Sequence, residues 1–417
     1  MSSENYQILD RASLPGYLHS IPAVVEVLGS DPNPEIIEIG DGNLNFVYRV
    51  TNPTDESRSV IVKQAVPYLR MVGEEWPLGR DRMTYEIRAL QLYNELTPGF
   101  VPEIFHADEE MSTLVMQYLD DHIILRLGMI DGITYPNVSE HLGLFMAETL
   151  FGTSAWSMAS EERRQLMDRF TLNAELCKLT EEFIFAFPYM VHDSNYSNPA
   201  TDAWARENIH ADTAYKLDML AMKDLFVTKT DALIHGDLHT GSLMVNQSDS
   251  YVIDMEFAFF GPFGFDVGKV ISNFLLSATS HAHHSDDATY RDWLIAQIVV
   301  IWNTFAKRFD ELWAAASEST MLTEGLLAAE EFAELRRRFM VDLLREAAGF
   351  AACSMARRTL GIAGVADVRD IEDLDVRSKI EIANLKLSKR LMAERAKLST
   401  IDDLVNLVRD HYATPIL

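Results

Sequence analysis

Short apolar runs separated by turn residues dominate the first part of the chain. Their alternation and their content of β-branched residues predict β-strands. The segment Asn52-Pro53-Thr54-Asp55 predicts a hairpin turn, because Asn, Pro and Asp favour turn conformations. Apolar residues spaced among charges predict a helix from about Asp81 to Tyr93. The predicted strands are Glu35 to Ile39, Phe46 to Val50, Ser59 to Ala65 and Ser112 to Tyr118.

The pattern changes after Asp120, where amphipathic stretches with helical spacing replace the strands. Short apolar runs interrupt these stretches and predict a small β insert. We therefore predict an α+β fold, with a β-rich N-terminal part at residues 1–116, a connection at 117–121 and a mainly helical part at 122–417. The predicted helices include Ser139 to Leu150, Glu161 to Glu175, Tyr290 to Leu312 and Ala328 to Met355. The interrupting runs are Ala232 to Ile234, Leu243 to Val245 and Tyr251 to Asp254.

The composition is that of a folded protein with a strongly acidic charge balance. The 417 residues are 48% hydrophobic and 24% charged, and this length suits two domains better than one core. Lys and Arg number 36 against 63 Asp and Glu, a formal net charge of −27. Such a surface repels the phosphates of nucleic acids and of anionic lipids, so we expect neither as a general partner. An anionic ligand then needs a dedicated lysine, a metal ion or a ring of backbone N–H groups.

Cysteine usage and the absence of long apolar runs indicate an intracellular protein. Cys177 and Cys353 have no paired spacing, so the sequence predicts neither a disulfide framework nor a zinc site, and a reducing cytoplasm fits. Met1 to Ser20 lacks the apolar core of a signal peptide. Val270 to Leu276 and Leu294 to Ile301 are far shorter than a membrane span. We expect a cytoplasmic protein with no membrane partner.

The densest chemical signal is the loop His235-Gly236-Asp237, which follows an apolar strand, and a second strand that ends at Asp254-Met255-Glu256. Phosphoryl transfer to a hydroxyl needs a carboxylate that takes the hydroxyl proton and others that bind magnesium. We predict Asp237 as the base and Asp254 with Glu256 as magnesium ligands, since residues two apart share one strand face. A lone His-Gly-Asp tripeptide is more often an ordinary turn. The additional carboxylates Asp254 and Glu256 favour a catalytic site.

A turn-rich segment and a single lysine are candidates for phosphate binding. Ile39 to Tyr48 contains two glycines and two asparagines, residues that permit close backbone approach, although an ordinary hairpin loop fits equally well. Lys63 interrupts an apolar run on the next predicted strand, where it can reach phosphates if a carboxylate holds it. Glu86 in the predicted helix is the expected partner. Considered alone, both residues are ordinary surface charges.

His281, His283 and His284 form a histidine cluster late in the chain. No cysteine or carboxylate has a spacing that would complete a metal site. The neighbouring Ser, Ala and Thr residues are typical of a loop, so we predict a solvated loop there.

These motifs resemble the aminoglycoside-phosphotransferase branch of the protein-kinase-like fold, which carries His-Gly-Asp-x-His-x-x-Asn. Ser242 stands here at the position of the final Asn, and the metal strand reads Asp-Met-Glu. Both departures resemble the 5-methylthioribose kinases of methionine salvage. The resemblance spans Glu38 to Gly361. Further matches are Gly-Asp-Gly-Asn-Leu-Asn-Phe-Val at 40–47, Glu75-Trp76-Pro77-Leu78 before Asp81-Arg82, and Arg357-Arg358.

The resemblance implies a bilobal kinase-like fold, with ATP between the lobes, and a homodimer. It implies that Asp237 takes the proton of the sugar's anomeric hydroxyl, giving 5-methylthioribose 1-phosphate, and that Asp254 and Glu256 bind magnesium. Arg357 and Arg358 would bind the ribose and stabilise the transferring phosphoryl group. Adjacent helical side chains point about 100° apart, so only one arginine need reach the site. The implied ATP contacts are Asn45, Lys63, the backbone of Gln117-Tyr118-Leu119, and Asp254, Met255 and Glu256.

Two alternatives stay open. One is a kinase of the same fold acting on an aminoglycoside, choline or homoserine; the acidic charge balance would attract a cationic substrate, whereas Ser242, Glu256 and the arginine pair favour a neutral sugar. The other is a catalytically inactive, kinase-like binding protein. The retention of Asp237, Asp254 and Lys63 argues against it. Trp76 either closes over the ligand or packs in the N-terminal part.

Overall fold

The computed structural model describes residues 6–40, 44–70, 72–196, 198–285, 288–316 and 319–417. The chain forms two compact units. The first unit runs to His122 and includes Leu172–Leu176 and Tyr251–Ala258. The second unit comprises Ile123–Thr171, Cys177–Ser250 and Phe259–Leu417.

The first unit is built around an antiparallel sheet. Its strands are β1 (Glu35–Glu38), β2 (Asn45–Asn52), β3 (Asp55–Ala65), β4 (Tyr68–Leu69), β5 (Gly73–Pro77), β6 (Ile104–Asp108) and β7 (Thr113–Gln117). The main sheet has the order β1-β2-β3-β7-β6, which makes β3 the central strand, and β4 pairs with β5 separately. The predicted hairpin turn is confirmed: the backbone N–H of Thr54 donates to Asn52 Oδ1 at 2.9 Å. Trp76 on β5 is 41% exposed.

Helices of the first unit are α1 (Leu14–His19), α2 (Pro22–Leu28) and α3 (Arg82–Leu96). The first two were not predicted, because each is too short for a periodic pattern to stand out. They contribute Leu14, Leu18 and Val24 to a buried cluster with Val50 and Val62 of the sheet. Part of the predicted glycine-rich loop, Asp41 to Asn43, lies outside the described residues.

The remaining elements are mainly helical, so the predicted α+β class is confirmed. The helices are α4 (Leu125–Ile130), α5 (Val138–Gly152), α6 (Ser160–Asp168), α7 (Ala174–Phe183), α8 (Pro199–Ala205), α9 (Thr213–Thr228), α10 (Phe263–His284), α11 (Thr289–Ala315), α12 (Ala329–Leu360), α13 (Ala366–Arg369), α14 (Leu374–Glu394) and α15 (Ile401–Tyr412). Short strands are β8 (Ile123–Ile124), β9 (Ala232–Ile234), β10 (Leu243–Val245), β11 (Ser250–Val252) and β12 (Phe259–Gly261). In the described ranges, no helix combines the length and apolar character needed to cross a bilayer.

Helix α10 forms the centre of the second unit, and its residues from Phe263 to His281 are buried. It packs against α12 at close range. A Cβ atom built on Gly268 would lie 2.9 Å from the backbone nitrogen of Ala351, closer than non-bonded atoms tolerate. Gly268 therefore sets the distance between two helices that carry charged residues of the candidate site.

Two sequence-based predictions about helices are wrong. The stretch from Glu161 to Glu175 is not one helix, because α6 ends at Asp168 and α7 begins at Ala174. Asn173, in the break, donates from Nδ2 to the carbonyl oxygens of Glu256 and Ala258, at 2.9 Å each. The amphipathic pattern does not reveal this break, because it depends on a partner distant in the sequence.

The histidine cluster is also not a loop, since α10 continues to His284. His281 is buried, with Nε2 lying 2.7 Å from the carbonyl oxygen of Met129. The small polar residues before it bond to the helix itself: the hydroxyl of Thr279 donates to the carbonyl oxygen of Leu275 at 2.9 Å. Ser and Thr favour loops when they are exposed, but here their hydroxyl groups form hydrogen bonds inside a buried helix.

We expect Gly268→Ala to destabilise the protein, because its methyl group would press on the backbone of α12. Overpacking of this kind costs roughly 1–3 kcal/mol. Gly16→Ala in α1 is the matched control, since nothing lies within 4 Å of its added Cβ. Urea unfolding of the full chain should give a lower midpoint for the first variant and an unchanged or higher one for the second. A Gly268→Ala protein as stable as the unmodified chain would contradict the close helix packing.

Candidate functional site

The first unit gathers a buried lysine and three carboxylates. Lys63 Nζ on β3 lies 2.7 Å from Glu86 Oε1 on α3 and forms a second ion pair with Asp254. The predicted pairing of Lys63 with Glu86 is therefore confirmed. Burial by itself would lower the pKa of Lys63, but Asp254 and Glu86 outweigh it and raise the pKa above its usual value. The ammonium group is thus held charged in a buried position.

Asp254 and Glu256 lie on a turn and not on a strand. Strand β11 ends at Val252, Asp254 adopts a left-handed conformation with φ of 72°, and Met255–Phe257 form one turn of 3₁₀-helix. The prediction that the two carboxylates lie on one strand face is therefore wrong. The turn still brings them together, with Asp254 half-exposed and Glu256 buried.

Arg82, at the start of α3, connects this turn to β2. Its guanidinium donates from Nε to Asn45 Oδ1 at 2.9 Å, and that nitrogen lies 3.7 Å from Glu256 Oε2. Asn45 Nδ2 donates to the same Glu256 oxygen at 2.7 Å. Arg82 also donates to the carbonyl oxygens of Leu44 and Val66. Sequence reasoning assigned Arg82 no role, although a cation in the first turn of a helix opposes the helix dipole and so suggests a specific partner.

The carboxylates of this cluster fit a hard divalent cation. Glu86, Asp254 and Glu256 each offer an oxygen within 4.8 Å of the others. Among the described residues, Glu86 Oε2 is buried without a hydrogen-bond partner. Burial and the neighbouring Asp254 raise the pKa of Glu256 to about 8, against the opposing attraction of Lys63. A bound divalent cation would relieve this repulsion between the carboxylates, and magnesium prefers oxygen ligands of this kind. Met255 is buried between the two turn carboxylates.

The segment Gln117-Tyr118-Leu119 begins at the end of strand β7 in the first unit. The backbone N–H of Gln117, the last residue of β7, donates to the carbonyl oxygen of Glu103 at 2.9 Å. The Tyr118 hydroxyl accepts from Arg49 at 3.3 Å. The Leu119 side chain is buried. Their backbone position is defined by the sheet, while contact with a nucleotide stays a prediction.

In the second unit, helix α10 and Ser242 shape the loop that carries Asp237. Asp266 on α10 accepts from the backbone nitrogens of His235 and Gly236, at 2.7 and 3.1 Å. Gly236 has φ of 80°, a conformation that favours glycine. The Ser242 hydroxyl donates to the carbonyl oxygen of Asp237 at 2.8 Å and accepts from the N–H of His239 at 3.1 Å. Ser242 therefore braces the loop, and its hydroxyl is used within it.

Asp237 is surrounded by cations. Its Oδ1 forms an ion pair with Lys269 of α10 and lies 3.4 Å from Arg357 and 3.6 Å from Arg358, both on α12. Both arginines thus reach Asp237, although they are adjacent on a helix. Burial would raise the pKa of Asp237, but Lys269, His239 and Arg357 hold it well below its usual range. Sequence reasoning missed Lys269, which interrupts an apolar helix as Lys63 interrupts an apolar strand.

His239 adds a neutral donor to this group. Its Nδ1 accepts from the backbone N–H of Gly241 at 2.8 Å and lies 3.2 Å from Arg126, so the proton is on Nε2. Nε2 lies 3.3 Å from Asp237 Oδ2. Burial lowers the pKa of His239 well below its usual value, which keeps the ring neutral.

The arginine pair retains buried donors that are free to bind a ligand. Nε of Arg357 and Nε of Arg358 have no hydrogen-bond partner among the described residues, and Nη2 of Arg358 has a long ion-pair contact of 3.6 Å with Asp237. Burial, and then Arg357, lower the pKa of Arg358 to about 9, which still leaves the group charged at neutral pH. Unsatisfied buried guanidinium donors next to a carboxylate fit a ligand that offers hydroxyl or phosphate oxygens.

Comparison with known proteins places the chain among small-molecule kinases. Residues 35–316 match the family profile described as "Phosphotransferase enzyme family". Methylthioribose kinase 1 of Oryza sativa subsp. japonica is 37% identical over 412 residues, which cover 96% of this chain and 95% of the rice protein. Methylthioribose kinase of Geobacillus sp. (strain WCH70) is 39% identical, over 89% of this chain and 88% of that protein.

Solved structures similar to this chain share little sequence identity with it. A choline kinase from Cryptosporidium parvum Iowa II is 12% identical with a TM-score of 0.45, covering 96% of this chain and 99% of its own. A glucosamine kinase in complex with glucosamine, ADP and inorganic phosphate is 14% identical with a TM-score of 0.47, covering 86% and 77%.

We expect Arg82→Met to destabilise the protein strongly, because it leaves the buried Glu256 and Asn45 without their cation. Removing one partner of a buried ion pair costs about 3 kcal/mol or more. The loss should be smaller when Arg82→Met is made in a Glu256→Gln background, which removes the stranded charge. Urea unfolding of the two single variants and the double variant measures this difference. Equal losses in both backgrounds would show that the two side chains are not coupled.

Proposed function

The chain belongs to the phosphotransferase enzyme family and, within it, to the methylthioribose kinases, and we propose that it phosphorylates 5-methylthioribose. ATP is the phosphoryl donor, and the products are 5-methylthioribose 1-phosphate and ADP, in methionine salvage. The observation that carries this assignment is the group of cations around Asp237. Such a group suits a neutral sugar that becomes a phosphate ester.

Asp237 is the general base in this proposal. The cations that lower its pKa keep it ionised at neutral pH, so it can accept the proton of the anomeric hydroxyl as the oxygen attacks phosphorus. Arg357 and Arg358 bind the ribose and compensate the charge that develops on the transferring phosphoryl group. Their unsatisfied donors support this role.

Residues of the first unit bind the nucleotide. Lys63, held by Glu86, contacts phosphate oxygens, and the backbone of Gln117, Tyr118 and Leu119 contacts the adenine. Asp254 and Glu256 hold magnesium, which would neutralise phosphate charge and polarise the transferring group. The carboxylate cluster with the orphaned Glu86 oxygen supports this metal assignment. The proposed ATP contacts are Asn45, Lys63, Gln117, Tyr118, Leu119, Asp254, Met255 and Glu256.

A cationic acceptor such as choline or an aminoglycoside is disfavoured. At an effective dielectric constant of 20, a positive charge about 4 Å from one guanidinium is repelled by about 4 kcal/mol, and several cations face Asp237 here. The acidic net charge attracts cations to the surface in general, but the groups nearest to the proposed base decide the specificity. An inactive binding protein is disfavoured because Asp237, Lys63 and Asp254 are all retained.

Three further assignments complete the proposal. We propose a homodimer, as the resemblance implies, and a cytoplasmic location, which the two free cysteines support. The formal net charge of −27 supports the absence of nucleic acid and of anionic membrane surfaces from the partners. The connection at residues 117–121 is proposed as the link between the N-terminal and C-terminal parts.

We expect the purified protein to turn over 5-methylthioribose with a higher kcat/KM than choline, homoserine or kanamycin, because only the neutral sugar avoids the cations around Asp237. A coupled assay of ADP release compares the four acceptors, and phosphorus NMR identifies the phosphorylated position. Turnover confined to any of the last three would overturn the substrate assignment. A phosphate elsewhere than on the anomeric oxygen would overturn the proposed chemistry.

Asp237→Asn should lower kcat by roughly 10²–10⁴-fold, because the amide cannot accept the hydroxyl proton. ATP affinity, measured by calorimetry, should stay unchanged, since the proposed nucleotide ligands are other residues. Asp231→Asn is the control, because Asp231 is an ion-paired aspartate of the same unit that bonds Lys229 and does not contact Asp237. Unchanged turnover in Asp237→Asn would refute the role of the base.

A further inference from the structure

Two charged side chains, one turn apart on α10, both reach the loop that carries Asp237. Asp266 accepts two backbone N–H groups of the loop. Lys269 extends from the next turn and forms an ion pair with the Asp237 carboxylate. Asp266 therefore fixes the backbone of the loop, and Lys269 contacts its functional side chain. Lys269 is 1% exposed, so its charge has been removed from water.

The two carboxylate oxygens of Asp237 have different surroundings. Oδ1 faces Lys269, Arg357 and Arg358. Among the described residues, Oδ2 faces no lysine or arginine in an ion pair, and Nε2 of neutral His239 lies 3.3 Å from it. An oxygen that is saturated by cations is a poor proton acceptor, whereas one with a single long contact keeps a lone pair available. The geometry thus distinguishes an anchored oxygen from a reactive one.

We propose that Lys269 is a positioning residue for the reaction: it fixes Oδ1 of Asp237 and keeps the carboxylate ionised, so that Oδ2 accepts the hydroxyl proton. This inference rests on the proposed function. In the step, the substrate O–H bond breaks and its proton passes to Oδ2. The freed oxygen forms a bond to the γ-phosphorus as the bond from that phosphorus to ADP breaks. Nζ of Lys269 contacts Oδ1 throughout and exchanges no proton in the step.

The charged groups around Lys269 and Asp237 come from several elements. Helix α12 contributes Arg357 and Arg358, the loop contributes neutral His239, and α4 contributes Arg126, which is paired with Asp367 at 3.4 Å. On α10, Asp266 attracts Lys269 while it holds the loop. Lys269 Nζ also lies 5.3 Å from the centre of the Phe265 ring. The arginines retain unsatisfied donors for a ligand, whereas Nζ of Lys269 is committed to Asp237.

The test compares the pH dependence of kcat/KM for 5-methylthioribose in the unmodified chain, in Lys269→Met and in Lys229→Met. Lys229 is the matched control, because it forms ion pairs with Asp231 and Glu346 in the same unit and does not contact Asp237. Loss of a cation in contact should move the acid limb of Lys269→Met upward by about one pH unit or more. Activity at neutral pH should fall at least tenfold because Oδ1 of Asp237 is no longer held in place, with KM for ATP unchanged.

A second variant keeps the test decisive if Lys269→Met does not fold. Lys269→Ala removes the amine and leaves space for a small alkylammonium ion, so added ethylamine or propylamine should restore part of the lost kcat. The same amines should leave Lys229→Met and the unmodified chain unaffected. A purely structural lysine would alter stability without moving the acid limb and without rescue by amines, and that outcome would overturn the inference.

The outcomes also separate this inference from the proposed function. If the unmodified chain phosphorylates another acceptor and not 5-methylthioribose, the proposed function fails, and the same pH profile measured with that acceptor still tests Lys269. If 5-methylthioribose is the substrate and Lys269→Met keeps the acid limb of the unmodified chain, the proposed function stands and the role of Lys269 fails.

Discussion

Compensation of buried charge is the constraint on which both parts of this structure depend. Lys63, Glu86, Glu256 and Lys269 are all at most 6% exposed, and a charge in such a position persists only with a partner. Each therefore has an ion pair or a charged hydrogen bond to a side chain on a different element. The folded chain cannot shift one of these elements without stranding a charge, and this fixes the functional groups in place.

The clusters of charged side chains in the two units carry an excess of opposite sign. In the first unit, three carboxylates face Lys63 and Arg82, an arrangement that attracts a further cation. In the second unit, a single aspartate faces a lysine and two arginines, an arrangement that attracts oxygen-rich and anionic groups. A chain with a formal net charge of −27 thus keeps a local excess of positive charge where phosphoryl chemistry needs it.

Helix α10 links stability to function in the second unit. Gly268 permits its close approach to α12, which bears the arginine pair, while Asp266 and Lys269 on either side of that glycine reach the loop of Asp237. Burial of the helix supplies the hydrophobic stabilisation that offsets the cost of burying these polar groups. The apolar residues of α10 therefore stabilise the same helix position from which Asp266 and Lys269 contact the loop of Asp237.

The sequence by itself determined the fold class, the main strands and helices, the pairing of Lys63 with Glu86, and Asp237 as the candidate base, which places the chain in its kinase family. These features depend on periodicity and short motifs, which are local properties of a chain. Tertiary structure alone decided the partners of Arg82, Asn173 and Lys269, the turn that carries Asp254, and the helix through His281. Asn45 and Glu256 are 211 positions apart, and contacts over such a separation leave no pattern in a single sequence.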